Sequence, residues 1–176
     1  QVFWGLDAGL ARQRHFPAIN WLSSYSLYPP SLDQWFRDNI GQDYPEIRTA
    51  ISSLLQVEAE LQEIVQLVGS DALPVDQQLT LEVARMIREY FLQQNGFHEV
   101  DAFCAVDLHY KMAKAILTFQ ESAKSAMAAG AELQDVVNVP ARTELMRGRF
   151  EASYADDIDG LVNKMNDEIA AAIEEN

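Results

Sequence analysis

Cysteine and basic residues are scarce in this chain of 176 residues. The one cysteine, Cys104, cannot form an internal disulfide or a thiolate metal cluster, so the sequence does not indicate an oxidising compartment. Lysine and arginine together number 13 against 27 aspartates and glutamates, which gives a formal net charge of -14. Because this charge repels phosphates, the composition argues against binding to nucleic acid or anionic membranes and favours a basic protein partner.

Several sequence patterns that are typical of catalytic sites are also missing. The chain has no glycine-rich phosphate loop, no Gly-x-Ser-x-Gly elbow and no His-Glu-x-x-His zinc motif. No apolar run approaches the roughly 20 residues that a membrane helix needs, and no basic stretch precedes an apolar run at the N-terminus. We therefore expect an untargeted, soluble chain without direct membrane insertion and without catalytic residues of its own.

What the sequence does contain is helical periodicity. Apolar residues recur at three- and four-residue steps from Ile47 to Val68, and again from Leu79 to Phe91. The turn 70–74 between these segments predicts an antiparallel helical hairpin. The same spacing, with capping signals, predicts further helices over about 31–39, 106–129 and 155–174, and a short one that begins at Pro140.

The N-terminal segment does not share this periodicity. Residues 2–4 are strand-prone and predict one buried strand, and Asp7 is a plausible N-cap for a helix through about His15. Residues 16–28 lack a clean period, so we interpret them as a packed connector. The Pro29-Pro30 pair then predicts a boundary between parts 1–28 and 29–176, and the abrupt start on a strand suggests a piece of a longer protein.

A cluster of titratable side chains is the nearest approach to a metal site: His98, Glu99, Asp101, Cys104, Asp107 and His109. Ala102 occupies the position at which a zincin would need its second histidine, and the aspartates are ordinary capping residues. We therefore predict no metal site here. His15, beside an arginine, is interpreted as a structural histidine.

Two stretches at the N-terminus are distinctive: Phe3-Trp4-Gly5-Leu6-Asp7-Ala8 and Arg14-His15-Phe16-Pro17-Ala18-Ile19-Asn20-Trp21-Leu22. They resemble the end of the nucleotide-binding domain in the catalytic subunits of A-type and V-type rotary ATP synthases. Residues 63–69, 81–85 and 91–97 resemble the helical domain of the same subunits. These motifs cover about residues 1–104, and residues 105–176 resemble the family mainly in length and helical pattern.

The resemblance implies the C-terminal part of the catalytic (alpha) chain, in archaeal form. The expected fold is mainly α, a helical bundle with one strand and a connector left from the α/β nucleotide-binding domain. The complete subunit would bind ATP or ADP with Mg and couple ATP synthesis or hydrolysis to proton or sodium transport. Its expected partners are the non-catalytic B subunit, the central stalk and the peripheral stalk, at the cytoplasmic face of the cell membrane. Because the phosphate loop would lie upstream, we expect the chain alone to be inactive and to hold no cofactor tightly.

The resemblance also assigns candidate sites. It places Phe16 and Phe97 in the adenine pocket, where flat rings can stack on the base, and it implies stalk contact for the turn residues Asp71, Leu73 and Asp76. From pattern alone, the two phenylalanines could instead be core residues and the turn a solvated one. An alternative function is a free-standing acidic helical interaction module without nucleotide binding.

If the chain is cut from a parent protein, part of its apolar surface should have lost its covering. We expect this of Val2, Phe3, Trp4 and Trp21, because they lie in the segment that resembles the end of the preceding domain. The exposed surface would promote self-association.

Overall fold

The computed structural model describes residues 1–151 and 154–174. Its N-terminal part is a small antiparallel sheet of strands β1 (Val2–Leu6) and β2 (Ile19–Ser26), with the short helix α1 (Ala8–Arg12) between them. The prediction of a single strand was therefore wrong, because the connector contains β2. The residues of β2 lack a regular apolar alternation, and β1 supplies the hydrogen-bond partners that make this segment a strand.

The predicted N-cap of α1 is confirmed, although the helix ends at Arg12 and does not reach His15. The Asp7 carboxylate accepts hydrogen bonds from the backbone N–H groups of Gly9 at 2.7 Å and Leu10 at 3.1 Å. It also accepts one from the Asn20 side chain at 2.9 Å, which ties α1 to β2. The Asn20 hydrogen bond and the two backbone hydrogen bonds hold the pKa of Asp7 below its usual value.

Strand β1 was expected to be buried, and within the described chain it is not. Trp4 is 69% exposed, and Val2 and Phe3 are about half exposed. Phe3 stacks on Tyr25 of β2 with ring centroids 5.7 Å apart, so the two strands carry an aromatic surface that faces solvent. Trp21 differs from the other three residues, because it is half-buried against the helical core. The predicted exposure of apolar surface is therefore found for Val2, Phe3 and Trp4 in β1, but not for Trp21.

Two long helices form the predicted hairpin. After α2 (Pro29–Asn39) come α3 (Tyr44–Val68), a 3-10 turn (Ser70–Ala72) and α4 (Val75–Met86), and α4 packs against α3. Helix α2 begins earlier than the expected Ser31 cap, because the fixed φ of proline suits the first helical turn. Gly69, with φ 85°, ends α3 in a backbone conformation that residues other than glycine rarely adopt.

The second helix of the hairpin changes character before it ends. Residues Ile87–Leu92 continue α4 as a π-helical segment, where the sequence pattern predicted an ordinary α-helix through Phe91. A loop of residues 93–100 and a 3-10 turn (Asp101–Phe103) follow. The wider turn of a π-helix is decided by contacts with other parts of the chain, and its local sequence signal is weak.

The rest of the chain completes the bundle with α5 (Val106–Ala128), α6 (Leu133–Val137), α7 (Pro140–Gly148) and α8 (Tyr154–Glu174). Helix α5 packs most extensively against α8, and it also contacts α3, α4 and α6. The mainly α prediction is therefore confirmed. The largest fully buried side chains are drawn from α4, α5, α6 and α8 and their neighbours: Tyr154, Phe119, Leu79, Met86, Ile87, Ile116, Ile158, Met165, Ile169, Val83 and Val136.

Candidate functional site

The two phenylalanines singled out by the sequence lie in segments that the fold brings together. The backbone N–H of Gln94 donates a hydrogen bond to the carbonyl oxygen of Phe16 at 2.6 Å. A Cβ atom placed on Gly96 would lie 3.1 Å from the Phe16 ring, so the loop backbone passes close to that ring. A side chain at position 96 would require the Phe16 ring to shift by a few tenths of an ångström.

Neither phenylalanine belongs to the core. Phe16 is 55% exposed and Phe97 is fully exposed. The side-chain oxygen of Asn95 accepts a hydrogen bond from the Phe97 backbone N–H at 3.1 Å, which forms a tight local turn at the tip of the loop. The interpretation of both residues as core phenylalanines is therefore wrong. Both rings are therefore exposed in the described part of the chain, on segments that a backbone hydrogen bond joins.

His15, next to Phe16 in the sequence, is buried. Its Nε2 lies 3.1 Å from the carbonyl oxygen of Arg88, and its Nδ1 lies 3.3 Å from that of Pro17. The ring also packs against Trp21 with centroids 5.6 Å apart. These contacts join the connector to the π-helical segment, in keeping with the structural role predicted for His15.

Sequence reasoning missed Arg149, which contacts the same loop from the end of α7. One guanidinium nitrogen donates to the carbonyl oxygens of Glu89 and Gln93, each at 2.7 Å. The Nε atom lies 3.8 Å from a carboxylate oxygen of Asp101, and both side chains are buried, with 10% and 6% exposure. The other Asp101 oxygen accepts a hydrogen bond from the Asn95 backbone N–H at 2.5 Å. A buried arginine so distant in sequence carries no local signal.

The titratable cluster that resembled a metal site is spread over several structural roles. His98 accepts backbone hydrogen bonds from Val100 and Asp101 at 3.3 and 3.4 Å. His109 stacks on Phe91 with centroids 3.9 Å apart, and burial lowers its pKa. Burial, with smaller contributions from neighbouring carboxylates, raises the pKa of the Cys104 thiol. Within residues 1–151 and 154–174, no group of three such side chains could hold a metal ion.

A separate apolar cavity of about 200 Å³ lies between β2, α3 and α5. Its walls are mainly aromatic and aliphatic, and they include Trp21, Tyr44, Ile51, Leu55, Phe91 and His109. Neither Phe16 nor Phe97 lines it. The two exposed rings therefore lie outside this cavity.

The turn of the hairpin carries the other predicted contact residues. Asp71 and Asp76 are exposed, whereas Leu73 is only 7% exposed. The Leu73 carbonyl accepts a hydrogen bond from the Gln78 side chain at 2.8 Å, so this residue anchors the turn from inside. Of the three predicted contact residues, Leu73 is therefore buried, while Asp71 and Asp76 are open to solvent. Exposed apolar side chains instead flank the turn: Leu67, Val68 and Val75.

None of the helices in the described part of the chain is long and apolar enough to span a membrane. The fold is a mainly helical domain whose hairpin stands beside a small N-terminal sheet. A family model described as the C-terminal domain of V and A type ATP synthase matches residues 33–137. The chain belongs to this family, as the sequence motifs predicted.

Curated relatives match over nearly the whole chain. The A subunit of the A-type ATP synthase of Methanosarcina barkeri is 48% identical over 171 residues, which are 97% of this chain and 30% of that protein. The corresponding protein of Natronomonas pharaonis is 49% identical over 169 residues, or 96% of this chain and 29% of that protein. The chain thus spans about a third of the length of these relatives. The matches do not favour a free-standing interaction module.

Proposed function

We propose that this chain is the C-terminal part of the catalytic subunit of an A-type rotary ATP synthase. The complete subunit would couple ATP synthesis or hydrolysis to proton or sodium transport, at the cytoplasmic face of the membrane. It would alternate with non-catalytic B subunits around a central stalk, with a peripheral stalk beside them. The observation that carries this proposal is the match of 97% of the chain to the A subunit of an A-type ATP synthase.

Within that protein, Phe16 and Phe97 form one wall of the adenine pocket. Support comes from their exposed rings and from the hydrogen bond that joins their segments. Burying an exposed phenylalanine against a flat base removes apolar surface from water and allows stacking. The phosphates and Mg would be held by the upstream domain, so we expect only weak binding of nucleotide to this chain alone. Parts 1–28 and 29–176 then correspond to the end of the nucleotide-binding domain and to the helical domain.

The adenine-wall proposal is tested by nucleotide affinity in the complete subunit. Base stacking on an aromatic ring contributes roughly 1–3 kcal/mol, so Phe97→Ala or Phe16→Ala should weaken ATP binding by roughly 5- to 150-fold. Phe103→Ala is a matched control, because Phe103 is 84% exposed and lies in the same region without being assigned to the pocket. Unchanged affinity in Phe97→Ala would overturn the assignment.

The hairpin of α3 and α4 acts as the lever that faces the central stalk. Its packed helices transmit displacement because closely packed interiors deform little. Asp71 and Asp76 would make the contact, and Leu73 would hold the shape of the turn from within. The exposed acidic side chains suit a basic stalk surface.

Cross-linking tests the lever. A cysteine introduced by Asp76→Cys should cross-link to the stalk in the assembled complex in at least one rotary state. Glu60→Cys, at an exposed position within α3, is the control. Failure of Asp76→Cys to cross-link in every rotary state would refute the contact.

Activity of the chain is expected only in its complete context. We infer that the 176-residue chain lacks ATPase activity because it contains no phosphate loop. The test reconstitutes the complete subunit with its non-catalytic partner and runs this chain with the same partner in parallel. Mg-dependent hydrolysis by the complete assembly alone supports the proposal. Absence of hydrolysis in both, despite proper assembly, would overturn it.

A further inference from the structure

We propose that Arg149, acting with Asp101, is a positioning residue that fixes the orientation of the loop carrying Phe97. Arg149 does not belong to the aromatic wall itself, and it lies outside the family motifs, which end near residue 104. Its role rests on the proposed part of Phe97 in adenine binding, and it concerns how the loop is held. The loop runs from Gln93, where the π-helical segment has ended, to the 3-10 turn at Asp101.

The π-helical segment creates a need for outside hydrogen-bond donors. A π turn closes between residues five apart, so where it meets a loop the last carbonyl groups lack helical partners. A single guanidinium nitrogen of Arg149 donates to one such carbonyl, at Glu89, and to the carbonyl of Gln93 at the start of the loop, each at 2.7 Å. Donors that carry charge form stronger hydrogen bonds than neutral ones, particularly when buried. Arg149 therefore holds the start of the loop.

Asp101 holds the middle of the loop. One of its carboxylate oxygens lies 3.8 Å from Arg149 Nε, and the other accepts the Asn95 backbone N–H at 2.5 Å. The Asp101 backbone carbonyl also accepts a hydrogen bond from the Gln94 side chain at 3.1 Å. Asn95 in turn accepts the Phe97 backbone N–H at 3.1 Å. One ion pair at 3.8 Å and two hydrogen bonds therefore connect Arg149 through Asp101 and Asn95 to the backbone of Phe97.

The contacts of residue 149 favour arginine over lysine. One nitrogen of its planar guanidinium donates to two carbonyls, and Nε lies 3.8 Å from the Asp101 carboxylate without forming a hydrogen bond. The guanidinium carbon also lies 4.7 Å from the centroid of the Phe150 ring. The compact ammonium group of a lysine could donate to the two carbonyls, but it lacks the planar group that also approaches the carboxylate and covers the Phe150 ring. Arg149→Lys is thus a conservative change that keeps the charge while removing the fixed fork.

The first experiment measures ATP affinity of the complete subunit in four forms: unchanged, Arg149→Lys, Phe97→Ala and the double variant. We expect Arg149→Lys to weaken binding by about fivefold or more, up to the loss caused by Phe97→Ala. If Arg149 acts by positioning Phe97, the double variant should bind no more than about twofold more weakly than Phe97→Ala. A full additional loss in the double variant would overturn the proposal, as would unchanged affinity in Arg149→Lys.

The control is Arg142→Lys, which also removes a buried guanidinium from the α7 region. Arg142 is 6% exposed and binds Glu82 and the Val137 carbonyl, away from the loop. We expect it to lower stability with affinity unchanged. An equal loss of affinity in Arg142→Lys would mean that general destabilisation explains both variants, which would refute positioning by Arg149.

Hydrogen exchange separates this inference from the proposed function. In the complete subunit without nucleotide, Arg149→Lys and Asp101→Asn should accelerate exchange of the Asn95 and Phe97 amides while core amides of α5 stay protected. Unchanged exchange at these two amides would overturn the positioning role of Arg149, whatever the ATP affinities are. If Phe97→Ala leaves ATP affinity unaltered, the adenine role fails, and the exchange measurement alone then decides whether Arg149 positions the loop.

Discussion

The ion pair between Glu82 of α4 and Arg142 of α7 should contribute strongly to the stability of the bundle. Their side chains approach to 2.6 Å, and the same Glu82 oxygen lies 2.6 Å from Arg85. The Arg142 side chain is 6% exposed, and its guanidinium also donates to the Val137 carbonyl at 2.6 Å and lies over the Phe119 ring. Glu82→Gln would leave this guanidinium buried without its counter-charge.

The expected cost follows from burial. Removing one partner of a buried ion pair typically costs roughly 3–5 kcal/mol, because the remaining charge stays out of water. Since Glu82 itself is 30% exposed, solvent screens part of the interaction, and we expect about 3 kcal/mol. For a domain of this size that corresponds to a fall in Tm of roughly 6–12 °C. Arg142→Met should cost less, because Glu82 keeps Arg85 and some solvent.

The pH dependence supplies a second measure of the same interaction. Burial raises the pKa of Glu82, but hydrogen bonds and charges from Arg142 and Arg85 outweigh it, so the pKa is lowered overall. A lowered folded-state pKa contributes stability above the ordinary glutamate pKa, and this is lost as the pH falls through the folded value. The difference between the unchanged protein and Glu82→Gln should therefore be largest near neutral pH and shrink in acid.

Urea unfolding of the 176-residue chain, followed by circular dichroism at several pH values, measures both quantities. Glu60→Gln is the control, because Glu60 is exposed on α3. A cost of Glu82→Gln no greater than that of Glu60→Gln would refute the stabilising role of the ion pair. A stability difference that grew as the pH fell would contradict the lowered pKa of Glu82.

Three further predictions concern other parts of the chain. Phe119→Ala should cost about 4 kcal/mol in urea unfolding, because Phe119 is fully buried, whereas Leu67→Ala, at a side chain 84% exposed, should cost little. Burial raises the pKa of Glu58 more than Arg88 lowers it, so the contribution of Glu58 to stability is lost as the pH rises through the raised pKa. The free energy of unfolding of the unchanged chain, relative to that of Glu58→Gln, should therefore fall between acid and neutral pH. A difference that stays constant with pH would contradict this. The exposed side chains of β1 should drive self-association, so Trp4→Ser with Phe3→Ser should shift sedimentation towards monomer; strictly monomeric behaviour of the unchanged chain at high concentration would count against it.

The sequence predicted the hairpin well because its signal is repetitive. Apolar residues of α3 and α4 recur at helical spacing over many turns. The glycine at position 69 signals the end of α3, and the structure gives it a positive φ. The Asp7 cap was also predictable, since the residue type and its two bonded amides lie within three positions. Such features depend on neighbours in sequence, which is why they could be found without a structure.

The connector shows where local patterns fail. Strand β2 exists because β1 offers it backbone partners, and the residues of β2 alone lack the alternation that would announce a strand. The conversion of α4 into a π-helical segment is similar, because side chains from elsewhere cap its carbonyls: His15, His109 and Arg149. Neither feature could be found by periodicity, since the determining contacts are distant in sequence.

The sequence by itself determined the family, the mainly α fold and the two aromatic segments, because motif identity and helical spacing are local properties. Tertiary structure alone decided that Phe16 and Phe97 stand exposed on adjoining segments, and that Leu73 supports the turn from inside. It also brought Arg149 and Asp101 together beneath the loop. Exposure and the pairing of buried charges depend on which distant segments cover a residue, and packing of the whole chain sets that.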